Sequence, residues 1–525
     1  MQEEGNMLAV IQNVLFKTKL KMKRSKYLFV VFLFVSFLSL QAQNADKKRE
    51  KQNIVYEPTW ESLIQHKCPE WFRDAKFGIY FHWGVYSVPA YGTEWYPHWM
   101  YIDSSLVWGL PYYKHHKTTY GDVSGFGYKD FIPQFTAEKF DPDAWADLFA
   151  RAGARFAGPV AEHADGFAMW DSKLTKWNAA KMGPKRDIVG ELAKAIRKQN
   201  LKFITTFHHQ WLWGWYPTWD KNTDASNPAY NGLDGIYGPV LPSANAFAKP
   251  EPTMEFSQYW MAKVKEVIDN YQPDLIWFDS RTGTINEQCR KEFLSYYYNQ
   301  ARTWGREVVM TYKGKDFATG SGVVDLERGR MAKITPYPWL NDDSMDWNSW
   351  GYVTSADYKT AERLVHELVD IVSKNGCLLL NIGPRPDGTI PEEVQERLLE
   401  MGDWLKLNGE AIYETRPFEV FGEGPTVVNE GHFSESKNTE FKTEDIRFTK
   451  KGDKLYAIFL GWPGKEITVK SLPKGKKLWL GNIRKITLLG DPKPLKWTQN
   501  EYGLTVQLPD APPCKYAFTL KISGK

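Results

Sequence analysis

Two carboxylates close short apolar runs, and their placement is the first sign of chemistry in the chain. The run Leu275-Ile276-Trp277-Phe278 ends in Asp279, and Val323-Val324-Asp325-Leu326 ends in Glu327. Runs this short read as strands buried on both faces. In parallel α/β barrels the reactive groups sit where strands give way to loops, so both acids stand at positions that could meet a substrate. Two carboxylates from different strand ends suit glycoside hydrolysis, in which one attacks and the other donates and later takes a proton. Each also has a bland reading: Asp279 could cap the next segment or pair with a buried Arg, and Glu327 could pair with the adjacent Arg328.

Other strand ends carry polar groups beside tryptophan. His82-Trp83-Gly84 follows one run, with Glu94-Trp95 shortly after; Glu162-His163 follows a second, with Trp170 beyond; His208-His209-Gln210-Trp211 follows a third. Burying so many polar groups is costly unless they face a polar ligand. Adjacent strand residues point to opposite faces, so His208 and His209 do not enter one site together without a bulge, and no HExxH motif is present. No metal is expected. The 23 Trp and 27 Tyr, many beside Gly, Pro and His, suit a sugar cleft, where an indole packs on the C–H face of a pyranose.

The elements that must position these groups alternate. Short apolar runs at 77–81, 156–161, 203–207, 275–278, 308–312, 323–326, weakly near Ile334, and at 378–382 make eight candidate strands. Between them lie helical patterns such as Ile188, Leu192, Ala195 and Ile196, or Leu364, Leu368, Ile371 and Val372. Eight strands alternating with helices predict an α/β chain with a (β/α)₈ TIM-type barrel. The rival is an open doubly wound sheet, but no Gly-rich phosphate loop opens any of the helices. Past residue 420 the pattern changes to short alternating strands near 446–448, 455–460, 467–469, 478–480, 504–508 and 516–522, which predicts a small all-β sandwich supporting the barrel. Two long irregular segments, 101–133 and 219–252, are expected to shape the rim of the pocket.

At the N-terminus a basic stretch (Lys21 to Lys26) precedes the apolar run 27–40 and a polar turn at Gln41-Ala42-Gln43. That layout predicts a secretory signal, export across an inner membrane and a periplasmic protein, with no membrane span in the mature chain. The expected organisation is therefore 1–43 upstream extension and signal, 44–420 barrel and 421–525 sandwich. Four widely spaced Cys support neither a disulfide framework nor a zinc site, and a net charge of +4 without a basic cluster argues against nucleic acid. The sequence sets no oligomeric state.

Several motifs together resemble glycoside hydrolase family 29, the retaining α-L-fucosidases. They are the run from Trp71 to Gly84, Glu94-Trp95-Tyr96-Pro97, Tyr128-Lys129-Asp130-Phe131, the segment from His163 to Phe167, Leu275 to Asp279, Ser349-Trp350-Gly351-Tyr352, and Asn381-Ile382-Gly383-Pro384 with Asp387-Gly388-Thr389-Ile390-Pro391. The resemblance implies a catalytic barrel, a C-terminal β-sandwich and cofactor-free hydrolysis of terminal α-L-fucosyl residues on oligosaccharides or glycoconjugates. It implies Asp279 as nucleophile and Glu327 as acid/base, with Glu94 the runner-up. It also implies sugar contacts from His82, Glu94, Trp95, His163, Trp170 and Trp350. Many members carry two consecutive His where this chain has His163-Ala164, so His208 or His209 is the expected substitute. Two rival functions stay open at this point: a fucose-binding, lectin-like protein without activity, and a retaining glycosidase for a galactose-type sugar.

Overall fold

The computed structural model describes residues 54–104, 106–241, 251–475 and 482–524. The expected secretory signal and the expected strand at 478–480 lie outside the described residues. Eight parallel strands close into a barrel in sequence order. They are β1 (Phe77–Phe81), β2 (Phe156–Glu162), β3 (Lys202–Phe207), β4 (Leu275–Phe278), β5 (Val309–Lys313), β6 (Val323–Glu327), β7 (Trp339–Ser344) and β8 (Gly376–Ile382). Because every strand runs the same way, all eight C-terminal ends meet at one mouth.

The longer helices between the strands are α1 (Pro142–Arg151), α2 (Ile188–Lys198), α3 (Met254–Tyr271), α4 (Glu287–Thr303), α5 (Ala361–Ser373) and α6 (Glu392–Asn408). The first five start at Asp141, Asp187, Thr253, Asn286 and Thr360, whose side chains accept backbone N–H bonds from the first turn. Such caps contribute about 1 kcal/mol each. Inside the barrel Tyr80, Val160, Ile204, Leu275, Trp277, Val309 and Leu340 pack into one buried layer, the floor on which the site rests.

Seven of the eight expected barrel strands fall where the apolar runs placed them, to within two residues. The seventh does not: the strand expected near Ile334 is β7, five residues later. Its Asn341, Asp342, Asp343 and Ser344 are all buried with partners from the surrounding structure, so no apolar run marks it.

C-terminal strands β9 (Arg416–Glu423), β10 (Ile446–Lys451), β11 (Lys454–Phe459), β12 (Glu466–Val469), β13 (Ile483–Leu488), β14 (Asp491–Pro494), β15 (Trp497–Asn500), β16 (Gly503–Gln507) and β17 (Phe518–Gly524) form two antiparallel sheets. One has the order β14-β13-β17-β11-β10-β9, the other β12-β16-β15, and Phe448, Phe459, Leu520, Val469 and Val506 from both sheets share a core. Strands β9 and β13 to β15 had no expectation in the sequence, since their alternation is broken by Pro, Gly and charged residues. The larger sheet is fixed to the barrel through an ion pair between Arg447 and Asp370 of α5 (2.7 Å) and a hydrogen bond from the Trp404 indole of α6 to the Ala517 carbonyl (2.7 Å).

Candidate active site

The barrel mouth opens into a cavity of about 490 Å³. Asp279 and Glu327 both line it, their side chains each 16% exposed. Asp279 follows β4 directly; its N–H donates to the Phe207 carbonyl (3.1 Å), and its own carbonyl accepts from the Gln210 amide (2.8 Å) and the Thr282 hydroxyl (2.9 Å). Glu327 ends β6. Period-2 alternation puts Asp325 and Glu327 on the same inward face.

Between the two acids sits a residue the sequence analysis did not single out. Lys313, the last residue of β5, places Nζ 3.2 Å from Asp279, 2.5 Å from Glu327, 3.2 Å from Asp342 and 3.9 Å from Asp325. Burial works against its charge, but the surrounding carboxylates outweigh this and hold the ammonium well above its ordinary range. One cation does not neutralise four acids. Burial, Asp342 and Asp279 together push Glu327 up to about 7 against the opposing pull of Lys313. Arg328, the alternative partner for Glu327, turns away in a left-handed conformation (φ 41°) and pairs with Glu435 at 2.6 Å. Lys313 carries the same local signal as Asp279, a polar residue directly after a short apolar run, 308–312.

Three histidines face the acids. His82, at the end of β1, is oriented by Asn381 of β8, whose Oδ1 lies 2.8 Å from Nδ1, and its Nε2 is 3.2 Å from Nε2 of His208. His163 completes the group, its ring 4.6 Å from that of His208 and 5.4 Å from that of His82. One ring atom from each lies within 4.8 Å of the others, so the trio could hold a metal ion as well as a set of sugar hydroxyls, a convergence that the His208-His209 adjacency argument did not address. Burial lowers the pKa of all three, His82 to about 4, so near neutral pH each ring offers one donor and one acceptor. The buried Nδ1 atoms of His163 and His208 have no protein partner, an arrangement that suits contact with a hydroxyl-rich ligand.

Glu94, Trp95 and Trp350 also line the cavity. Glu94 accepts from the Trp350 N–H (2.9 Å), and burial raises its pKa. The Trp350 ring lies 5.5 Å from His82 and carries the Arg328 guanidinium 4.6 Å from its centroid. Trp95 packs at 4.6 Å on Trp215, which shares the wall with Trp211 and Trp277. Ala164 lines the wall beside His163.

Two expected sugar contacts are corrected. The Trp170 ring is buried away from the cavity and its N–H donates to Glu266 (2.8 Å), because the loop after β2 folds back over the helix layer. His209 points to the opposite side from His208, stacks on Trp260 at 5.7 Å and bonds the Trp260 carbonyl (3.2 Å), so His208 is the one of the pair at the site. Among the described residues neither long segment lines the wall itself: the first sets the exposed Trp108 against Trp95 of the wall at 5.8 Å, and the second packs Tyr237 on Tyr216 at 4.7 Å, beside the wall residue Trp215. His432 and Phe433, from the connection between β9 and β10, do line the cavity, and nothing in their local sequence marked them.

Comparison with known proteins agrees with this layout. The α-L-fucosidase family profile matches residues 41–410, and the profile of the α-L-fucosidase C-terminal domain matches residues 438–523. Tissue α-L-fucosidase of Rattus norvegicus is 35% identical over 482 residues, covering 89% of this chain and 92% of the relative; that of Homo sapiens is 35% identical over 483 residues with the same coverage. A crystal structure of Thermotoga maritima α-fucosidase in complex with a mechanism-based inhibitor superposes with a TM-score of 0.70 at 31% identity, covering 89% of this chain and all of the other. With a barrel mouth lined by carboxylates, histidines and indoles, and with matches running from the barrel through the β-sheets, the chain belongs to the α-L-fucosidase family, glycoside hydrolase family 29, and has α-L-fucosidase activity (EC 3.2.1.51).

Proposed function

We propose that the chain releases terminal α-L-fucosyl residues with retention, by double displacement between Asp279 and Glu327. The observation that carries this reading is the ammonium they share: both carboxylates reach Lys313 Nζ. With Nζ 3.2 Å from an oxygen of one and 2.5 Å from an oxygen of the other, those two oxygens lie closer together than the about 6.5–9.5 Å that separates the carboxyls of an inverting pair, which supports retention. Asp279 attacks the anomeric carbon while protonated Glu327 gives its proton to the glycosidic oxygen, so that an ester bond forms as the C–O bond to the leaving group breaks. Glu327 then takes a proton from water, the water oxygen attacks the anomeric carbon, and the ester electron pair returns to Asp279.

The electrostatics support the change of role. Ionised Asp279 is one of the groups that keep Glu327 protonated. Once Asp279 is esterified its charge is gone, and the pull of Lys313 toward the carboxylate form prevails as the base is needed. His82, His163 and His208 read hydroxyls through their neutral rings, Glu94 accepts from another, and Trp350 covers the apolar side of the sugar. The substrates are fucosylated oligosaccharides or glycoconjugates. Export to the periplasm is part of the proposal, supported by the basic-then-apolar layout of residues 21–43; no helix among the described residues is long and apolar enough to cross a membrane.

Azide tests the two roles separately. Asp279→Ala is expected to lose on the order of 10³-fold or more in rate and to be partly rescued by azide, giving a β-fucosyl azide from an α-fucoside. Glu327→Ala with an activated aryl fucoside is expected to give the α-azide. If Glu94→Ala gives the α-azide while Glu327→Ala keeps full activity on oligosaccharides, the acid/base is Glu94.

A further inference from the structure

Phe433 combines three features that its fold does not require. Its side chain is large and apolar yet the residue is 57% exposed, its backbone is left-handed at φ 51°, and it lines the catalytic cavity. A bulky residue in that conformation costs about 1–3 kcal/mol and persists where the surroundings impose it. Here they do. Gly431 pairs antiparallel with Arg330, its N–H donating to the Arg330 carbonyl at 3.0 Å; the Phe433 N–H donates to the Glu327 carbonyl at 2.8 Å; and the Glu435 N–H donates to the Arg328 carbonyl at 3.1 Å. Ser434 and Glu435 are buried, and the Glu435 carboxylate is clamped by Arg328 (2.6 Å) and Lys359 (2.5 Å). The segment from Gly431 to Glu435 is thus stitched to the end of β6, while its one apolar side chain is left at the lip of the cavity.

The second side chain of this segment is aimed by the same stitching. His432 Nδ1 accepts the Glu327 N–H at 3.1 Å, which puts the proton of the neutral ring on Nε2 and leaves that edge a hydrogen-bond donor. Both residues therefore sit beside the group that protonates the leaving oxygen. Whatever is attached to that oxygen must lie next to them.

We propose that Phe433 and His432 form the binding site for the leaving group, and that the leaving group is a pyranose of an oligosaccharide, its C–H face on the Phe433 ring and a hydroxyl on His432 Nε2. This rests on the assignment of Glu327 as acid/base. The β9–β10 connection of the β-sandwich is then part of the substrate site, and it discriminates between leaving groups while the barrel reads the fucosyl ring.

The test compares a fucosyl-galactose disaccharide with α-L-fucosyl fluoride, which has no ring to stack and needs no acid, across wild type, Phe433→Ala and Phe433→Trp. Phe433→Ala is expected to lose about tenfold in kcat/KM on the disaccharide, the scale of one aromatic stacking contact, with the loss on the fluoride and the change in inhibition by free fucose both within about twofold. Phe433→Trp is expected to recover most of the disaccharide rate. Equal losses on both substrates would show the ring to be a prop for Glu327 and overturn the proposal, as would an unchanged disaccharide rate. A wild-type enzyme inert on the fluoride would instead count against the double-displacement reading itself.

Discussion

Two clusters of buried charge lie back to back along β6 and β7, and a buried aspartate in each is held in the opposite way. In the first, inside the barrel, Lys313 faces Asp279, Asp325, Glu327 and Asp342. In the second, outside it, Arg328, Arg330, Lys359 and Arg363 meet Asp343, Glu367 and Glu435. Strand alternation does the sorting: Glu327 and Asp342 point in, while their neighbours Arg328 and Asp343 point out. Asp325 and Asp343 are both fully buried. Burial and Asp342 drive Asp325 well above the usual carboxylate range despite Lys313, whereas at Asp343 burial is outweighed by Lys359, Arg330 and Arg328, which hold it below that range. Exclusion of water is common to both, and in the outer cluster burial and Asp343 still push Glu435 up to about 7; at the two aspartates it is the ratio of cations to carboxylates that decides whether the charge is held or suppressed.

Breaking the outer cluster should cost stability rather than chemistry. Arg330→Met removes one of the cations on Asp343 and Glu367, which keep Lys359 and Arg363, and is expected to destabilise the fold by about 1–3 kcal/mol in denaturant unfolding, because buried charge-assisted hydrogen bonds are lost without replacement. The folded fraction should keep kcat/KM within a few-fold. A large loss of kcat at unchanged stability would merge the two clusters into one site.

Altering the inner cluster should move a pH limb. If Glu327 is the acid, as proposed, it must be protonated, so kcat/KM on a fucosylated oligosaccharide is expected to fall as pH rises through about 7. The ammonium favours the ionised form of Glu327, so Lys313→Met should shift that limb to higher pH at the cost of a lower plateau. A limb that stays in place or moves down in a pH–rate profile would detach it from Glu327.

The smallest effect concerns the histidines. If His82, His163 and His208 read hydroxyls, exhaustive chelation should leave the rate within about twofold. A loss restored by a single divalent ion would make them ligands instead and separate them from the carboxylate chemistry of the inner cluster.

Legibility in the sequence followed the same inside-outside division. Asp279 and Glu327 were readable because each ends a run of apolar residues buried on both faces, a local signal. The choice of His208 over His209 needed only a decision about which face of β3 looks inward. Strand β7 lies beyond the expected position because four of its six buried residues are polar, which cuts the apolar run to Trp339-Leu340, and only partners from other elements make that burial tolerable; Asp342 and Asp343 go unmarked with it. The resemblance implies Trp170 as a sugar contact, but the path of the loop after β2 sends its indole N–H to Glu266.

The sequence by itself determined the eightfold alternation, the strand ends that carry Asp279, Glu327, His82, His163 and His208, and through its motifs the family. Periodicity and strand termini are written over a few consecutive residues, and a closed parallel barrel then needs no further information to bring its C-terminal ends together. Only the tertiary structure decided that Lys313 stands between the two acids, that Arg328 belongs to Glu435 and not to Glu327, and that His432 and Phe433, more than a hundred residues from Glu327, close the cavity beside it. Those outcomes depend on which charges meet once water is excluded and on where a long connection can satisfy its backbone bonds, and neither is encoded in the neighbours of any one residue.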